Sequence, residues 1–164
     1  MILIFSNYKE NDLLKRLKMN IVSIKIAFVA ETLPLISNLN LIENITLPIQ
    51  YHGIKYDMRQ LNDDLRNYNL YDKMYYRKDG LNEIEIFFTK YLMCKYFGAK
   101  VIFFINQFHY FVNCRELFYD FFNKQYEKNF VIIEKEIYKN ILTKNLKNYD
   151  EWNLEEWLKK GLRI

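Results

Sequence analysis

Five consecutive apolar residues, Val101-Ile-Phe-Phe-Ile105, constrain this chain more than any other feature of its sequence. A strand with one face in water alternates apolar and polar side chains. A run without a polar member implies burial on both faces, as in a parallel sheet. Phe130-Val-Ile-Ile133 repeats the pattern. Between the two, Cys114–Tyr126 reads as a helix with Leu117, Phe118, Phe121 and Phe122 facing inward. Strand, helix, strand in this order predicts an α/β fold with right-handed crossovers.

The remainder of the chain divides around that core. Ile2–Phe5 reads as a short buried strand. Asn11–Met19 reads as a helix with Leu13, Leu14 and Leu17 on one face and Asn11 or Asp12 near its cap, and Ile21–Val29 as a strand. Glu31–Asn40 is a loop, and Leu41–Leu47 a helical turn ending before Pro48, with Ile49–Gly53 completing that unit. Asp57–Tyr68 predicts a helix with Met58, Leu61 and Leu65 together, and Leu70–Tyr76 a further short one. Asn82–Tyr96 is amphipathic and stops at Gly98. Asp150–Leu162 predicts a short amphipathic helix with Trp152, Leu154, Trp157 and Leu158 apolar.

Composition excludes several classes. The chain is too rich in aromatic residues to be disordered. A net charge of +4 with scattered lysines argues against nucleic acid as the main partner. The aromatic content is what AT-rich codons yield whatever the function, so it is no sign of base stacking. No apolar run approaches the ~18 residues needed to span a bilayer, and Met1–Phe5 lacks the length and basic flank of a signal peptide. Cys94 and Cys114 sit among apolar neighbours and read as buried, reduced thiols. With no CxxC pair and only His52 and His109, a zinc site is not expected. Neither histidine has a Ser, Cys or acidic partner at catalytic spacing, so both read as structural.

The segment Ile26–Ile49 resembles the Q-loop region of ATP-binding cassettes, the ATPase subunits of ABC transporters. Leu39, Leu41, Glu43-Asn44-Ile45 and Leu47-Pro48 follow that family's order and spacing. The wording Leu35-Ile-Ser-Asn-Leu39, with Tyr51-His52 after it, is most similar to the Mla-type lipid-transport and lipoprotein-release branches. Downstream, Leu81–Glu85 falls at the signature motif, Val101–Ile105 at the Walker B strand and Phe130–Ile133 at the strand before the switch histidine, so the resemblance covers Ile21–Ile137. It implies a truncated P-loop NTPase-like parallel sheet with an inserted helical subdomain at 34–97, all within one domain over 1–164. Because the resemblance begins after the place of the phosphate-binding loop, a first βα unit with its central strand is expected to be missing.

Carried over position by position, the family's nucleotide contacts are replaced. The Q-loop Gln is Glu31. The signature serine and glycines are Asn82, Glu83 and Ile84. The Walker B acids fall at Ile105 and Asn106, and the switch histidine at Lys135. A phosphate-cradling GxxxxGK[ST] needs glycines so that backbone N–H groups can wrap the phosphates, and the four glycines here, Gly53, Gly80, Gly98 and Gly161, are widely separated. Phosphoryl transfer depends on positioning and charge neutralisation, so their joint loss implies no hydrolysis. Glu31 could serve as a Mg²⁺ ligand, but without a second carboxylate in register it reads as a solvated loop residue.

The resemblance therefore implies a catalytically inactive cassette-like subunit with no catalytic residue, no cofactor and no metal. Leu33, Pro34, Leu35, Ile36, Leu39 and Ile42 would face a membrane permease, in an assembly or regulatory role. Implied partners are that integral-membrane permease and a second cassette, in a homodimer or in a heterodimer with an active ATPase subunit. The expected place is the cytoplasm, peripheral to the inner membrane. The alternatives are a soluble α/β interaction module, a gene remnant, a small active ATPase and a nucleic-acid binder. The Trp152/Trp157 tail reads as a docking helix for self-association or for the sheet edge, its mixed charges being too acidic for a lipid surface.

Overall fold

The computed structural model describes residues 1–20, 25–125 and 129–160, the side chains of 18–20 aside. The predicted strand at Ile21–Val29 and the predicted helical ends at Tyr126 and Leu162 thus lie partly outside the described residues. The elements in chain order are β1 (Ile2–Phe5), α1 (Glu10–Asn20), β2 (Ile26–Val29), α2 (Leu41–Tyr51), α3 (Met58–Asn67), α4 (Glu83–Tyr96), β3 (Val101–Ile105), α5 (Arg115–Asn123), β4 (Asn129–Glu134), α6 (Lys139–Asn145), β5 (Asp150–Trp152) and α7 (Leu154–Lys159). Short 3-10 turns stand at Tyr71–Lys73, Lys78–Gly80, Phe108–Phe111 and Glu136–Tyr138. The chain forms two compact units, Met1–Leu33 with Lys100–Ile164, and Pro34–Ala99.

The first unit is an α/β sheet of five parallel strands in the order β2-β3-β4-β1-β5. Every residue of β3 is buried, as its unbroken apolar run requires. Period-2 alternation then sorts its side chains. Phe103 and Ile105 join Ile4, Val131 and Ile133 under Leu13, Leu14 and Leu17 of α1 and Leu154, Trp157 and Leu158 of α7. Phe104 points the other way, with ring centroids 4.8 Å from Phe122 of α5 and 5.0 Å from Phe130 of β4.

Several expectations are corrected here. The central strand expected to be missing is present: β1 lies between β4 and β5 and leads through α1 to β2. Its expected absence rested on a missing glycine motif, whereas the strand needs only an apolar run. α1 begins at Glu10, one residue before the expected caps, because Lys9 O already accepts the N–H groups of Asp12 and Leu13 at 3.0 Å each. The tail is a strand before it is a helix. Asp150–Trp152 pairs in parallel with Ile2–Ile4, where edge hydrogen bonds were available, and only then does Asn153 cap α7. Leu117 is exposed and Tyr119 takes the inward place on α5, because this nine-residue helix turns Phe118, Tyr119, Phe121 and Phe122 to the sheet. Cys114, just before α5, is half-buried rather than buried.

The second unit is helical. Its α2 runs through Pro48 instead of stopping before it. A proline inside a helix costs about 3 kcal/mol, and burial of three large side chains at about 1.5–3 kcal/mol each outweighs that. Leu41, Ile45 and Ile49 are those side chains, each at most 1% exposed, and they line one face on both sides of the proline. At the start of α2, Asn40 and Glu43 form a capping box. Asn44, 2% exposed, uses its whole amide on the preceding loop: Oδ1 accepts Ile36 N–H, and Nδ2 donates to the carbonyls of Ile36, Leu39 and Asn40. α3 starts one residue after its cap Asp57. It buries Leu61 and Leu65 but leaves Met58 exposed, because the first turn projects past the packed face. Leu70–Tyr76 contributes only the 3-10 turn at Tyr71–Lys73. α4 ends where Gly98 adopts φ +74°, the left-handed stop that its glycine predicts. Asp64 of α3, 9% exposed, accepts from Lys95 Nζ at 2.5 Å and Tyr96 Oη at 2.6 Å, tying α3 to the end of α4.

Candidate functional site

In the α/β unit the chain leaves β1 towards β2 on one side and leaves β4 towards β5 on the other. That reversal lies between β4 and β1, and the crevice outside the carboxyl ends of such strands is where open parallel sheets bind ligands. Four residues, Ser6–Lys9, join β1 to α1 at this point. A strand-loop-helix at the switch point is also the place where a phosphate cradle stands in nucleotide-binding sheets.

The loop is closed on itself. Ser6 is buried, donates its N–H to Glu134 O at 2.9 Å, and takes the N–H of Tyr8 on its Oγ at 3.2 Å. It contains no glycine. The first turn of α1 carries Glu10 and Asp12, so the positive end of the helix dipole already has negative partners. Glu10 reaches to the turn after β2, where one carboxylate oxygen accepts Thr32 N–H and Thr32 Oγ1 at 2.6 Å each. At this edge the N–H groups of Ser6 and Tyr8 are already bonded and the first turn of α1 carries two carboxylates, which raises the cost of seating a triphosphate there.

Beside the loop, a surface pocket of about 300 Å³ is lined by Tyr8, Asp12, Lys15 and Arg16. Arg16 stacks 4.3 Å from the centre of the Tyr8 ring, and both donate to Glu155 Oε1 of α7, at 2.6 Å and 3.2 Å. The Arg16–Glu155 ion pair is solvent-facing and worth under about 1 kcal/mol.

The candidate positions from the sequence distribute as follows. Glu31 is exposed in the turn after β2. Ile105 ends β3 and is fully buried, so its side chain belongs to the core. Asn106 follows with φ +52°, a left-handed conformation that asparagine tolerates better than most residues. Lys135 is exposed at the start of the Glu136–Tyr138 turn. These four stand together at the carboxyl ends of β2, β3 and β4. Asn82, Glu83 and Ile84 belong to the helical unit and open α4: Asn82 and Glu85 form a capping box, with Glu83 exposed and Ile84 half-buried.

Sequence reasoning missed Ser6–Lys9 and Glu134. A short apolar run opening the chain before a helix, and an acid directly after a doubly buried strand, were the available signals. Glu134 is fully buried at the end of β4, and its Oε1 accepts Gln107 N–H at 2.5 Å and Phe108 N–H at 2.8 Å. Its Oε2 is buried without a hydrogen-bond partner among the described residues, as is Asn106 Oδ1. Burial pushes the Glu134 carboxyl up to about 7, against the pull of the backbone N–H groups and of Lys135. A carboxyl raised on folding stabilises at low pH and loses that contribution as pH rises. Folding stability should therefore fall by up to about 3 kcal/mol between pH ~4.5 and somewhat above pH ~7, and Glu134→Gln should flatten that slope. Urea titrations across this range would check it; a wild-type slope equal to that of the variant would refute it.

No group of three or more His, Cys, Asp or Glu residues suited to a metal occurs among the described residues. Cys94 is buried and its thiol is pushed up to about 12 by desolvation, so it is no nucleophile. His52 packs edge-on against Tyr51 and Phe97 at 5.1 and 5.2 Å.

The sequence matches no family model and no curated protein. Solved structures match in fold. One is assigned to the metal-chelate type of ABC transporter in an inward-facing conformation, with a TM-score of 0.65 and 12% identity over 92% of this chain and 68% of that one. An ATP-binding subunit of an ABC transporter gives 0.60 and 13%, over 95% and 68%. A dimeric bacterial ABC transporter cassette gives 0.58 and 15%, over 90% and 65%. The chain therefore has the fold of an ABC ATP-binding cassette and spans about two thirds of the length of these structures.

Proposed function

We propose that this chain is a catalytically silent counterpart of ABC transporter ATP-binding subunits, which docks on a membrane permease in an assembly or regulatory role. One observation carries the reading. The cassette sheet keeps its switch point, while the strand-to-helix loop there is four residues long, lacks glycine and is followed by Glu10 and Asp12. The substitutions at Glu31, Asn82–Ile84, Ile105, Asn106 and Lys135 point the same way. Leu33, Pro34 and Ile36 are exposed and available to a permease, and Leu39 and Ile42 are half-buried. Leu35 is 4% exposed and is withdrawn from that set, since its side chain completes the fold. A cytoplasmic place at the inner membrane, pairing with a second cassette and a lipid cargo belong to the same proposal. The lipid cargo rests on Leu35–Leu39 and Tyr51-His52 alone. Among the described residues no helix is long and apolar enough to cross a membrane.

Calorimetric titration of the full chain with MgATP tests the silence. No saturable heat is expected up to millimolar nucleotide, the range of roughly −4 kcal/mol of binding free energy. A saturable micromolar isotherm would end the reading.

A further inference from the structure

The pocket beside the Ser6–Lys9 loop plays no part in the proposed docking role, yet it opens next to the switch point, where open parallel sheets bind ligands. Its volume of about 300 Å³ is at the small end of sites that enclose a small molecule, and suits a ligand of amino-acid size better than a nucleotide. One wall is already fixed. The Arg16 guanidinium lies 4.3 Å from the centre of the Tyr8 ring, and Glu155 Oε1 of α7 accepts from Arg16 at 2.6 Å and from Tyr8 Oη at 3.2 Å. Glu155 thereby answers the Arg16 charge and holds the ring in place. The other wall is Asp12 and Lys15. Both side chains are exposed, and neither has a hydrogen-bond or ionic partner among the described residues. An acid and a base three residues apart on a helix are neighbours and ordinarily pair. Here they stand unpaired around one pocket.

We propose that this pocket binds a free α-amino acid with an apolar side chain, Asp12 receiving its ammonium, Lys15 its carboxylate, and the Tyr8 ring lying against its side chain.

Charge selects this class of ligand. Asp12 and Glu155 balance Lys15 and Arg16, so the pocket has no net charge to draw in a simple anion or cation. A carboxylate alone gains Lys15 and meets the repulsion of Asp12; an amine alone gains Asp12 and meets Lys15. A molecule with both signs on neighbouring atoms satisfies the two together. The surface between them is the Tyr8 ring and the aliphatic stem of Arg16, which favours an apolar side chain there. All the lining side chains meet solvent, so each charge contact changes affinity by a factor of about two to five, and binding falls in the millimolar range.

NMR titration of the full chain with L-leucine, at neutral pH and constant ionic strength, tests this. Saturable shifts are expected at the Asp12 and Lys15 amides and on the Tyr8 ring. Isocaproate is leucine without its ammonium, and isoamylamine is leucine without its carboxylate. Each should bind about two- to fivefold more weakly than leucine. Asp12→Asn should erase the preference for leucine over isocaproate, and Lys15→Gln the preference over isoamylamine. The proposal is overturned by the absence of saturable shifts at these residues up to about 50 mM leucine, well beyond the affinity expected of solvent-facing charges. It is equally overturned if isocaproate or isoamylamine matches leucine, or if a variant keeps the preference it should lose. If a variant does not fold, the three ligands compared on the wild-type chain decide by themselves.

Discussion

Replacing Trp157 by alanine is expected to cost about 3–5 kcal/mol of folding stability, enough to unfold a marginal domain. Trp157 is 2% exposed and belongs to the cluster with Leu13, Leu17, Phe103 and Ile133, its ring meeting Phe103 edge-on at 5.8 Å. Truncation removes both the burial and the packing of a side chain that bridges α7 and β3. Trp157→Phe should cost far less. It keeps most of the aromatic volume and deletes an indole N–H that finds no acceptor among the described residues. Denaturant midpoints of the three proteins would check this. Near-wild-type stability of the alanine variant would mean that the tail contributes little to the core.

Asn44→Ala should cost about 3–4 kcal/mol, since it removes four hydrogen bonds worth about 1 kcal/mol each and leaves partly buried carbonyls without donors. The loss should appear locally as well, as faster amide exchange at Ile36, whose N–H donates to Asn44 Oδ1 at 2.8 Å. Asn44 lies in the stretch that resembles an ABC Q-loop region, and its structural role gives a physical reason for that likeness. Asn40, Glu43 and Asn44 together start α2 and hold the loop before it. A substitution that left Ile36 exchange unchanged would show that the loop is held by other means.

Much of the fold was legible from residue pattern because that pattern reflects local geometry and burial. β3 and β4 announced themselves as unbroken apolar runs, α1 as a periodic stripe, and the end of α4 as a glycine; the amphipathic reading of α4 is corrected, since that helix buries every residue from Phe87 to Leu92, Thr89 and Lys90 included, rather than one stripe. The failures share one cause: long-range contact overrode a local preference. Pro48 argues for a helix end, but Leu41, Ile45 and Ile49 are buried on both sides of it. Asp150–Trp152 looks helical, but β1 offered an unpaired edge. β1 itself was assigned correctly as a strand and then left out of the sheet's centre, because the missing glycines were taken to mean a missing unit.

The candidate site divides the same way. The residues singled out by resemblance, Glu31, Ile105, Asn106 and Lys135, could be placed along the chain, yet their meeting at one sheet edge depends on the order β2-β3-β4-β1-β5. No local signal carries strand order, since it is set by which crossovers cover both faces of the sheet. Sequence alone determined that this is a parallel α/β chain without a glycine-rich phosphate loop, because doubly buried runs and glycine spacing are properties of neighbouring residues. Only tertiary structure decided that Ser6–Lys9 stands at the switch point and that Glu134 is sealed from water, because burial of a single carboxyl depends on what packs over it from distant parts of the chain.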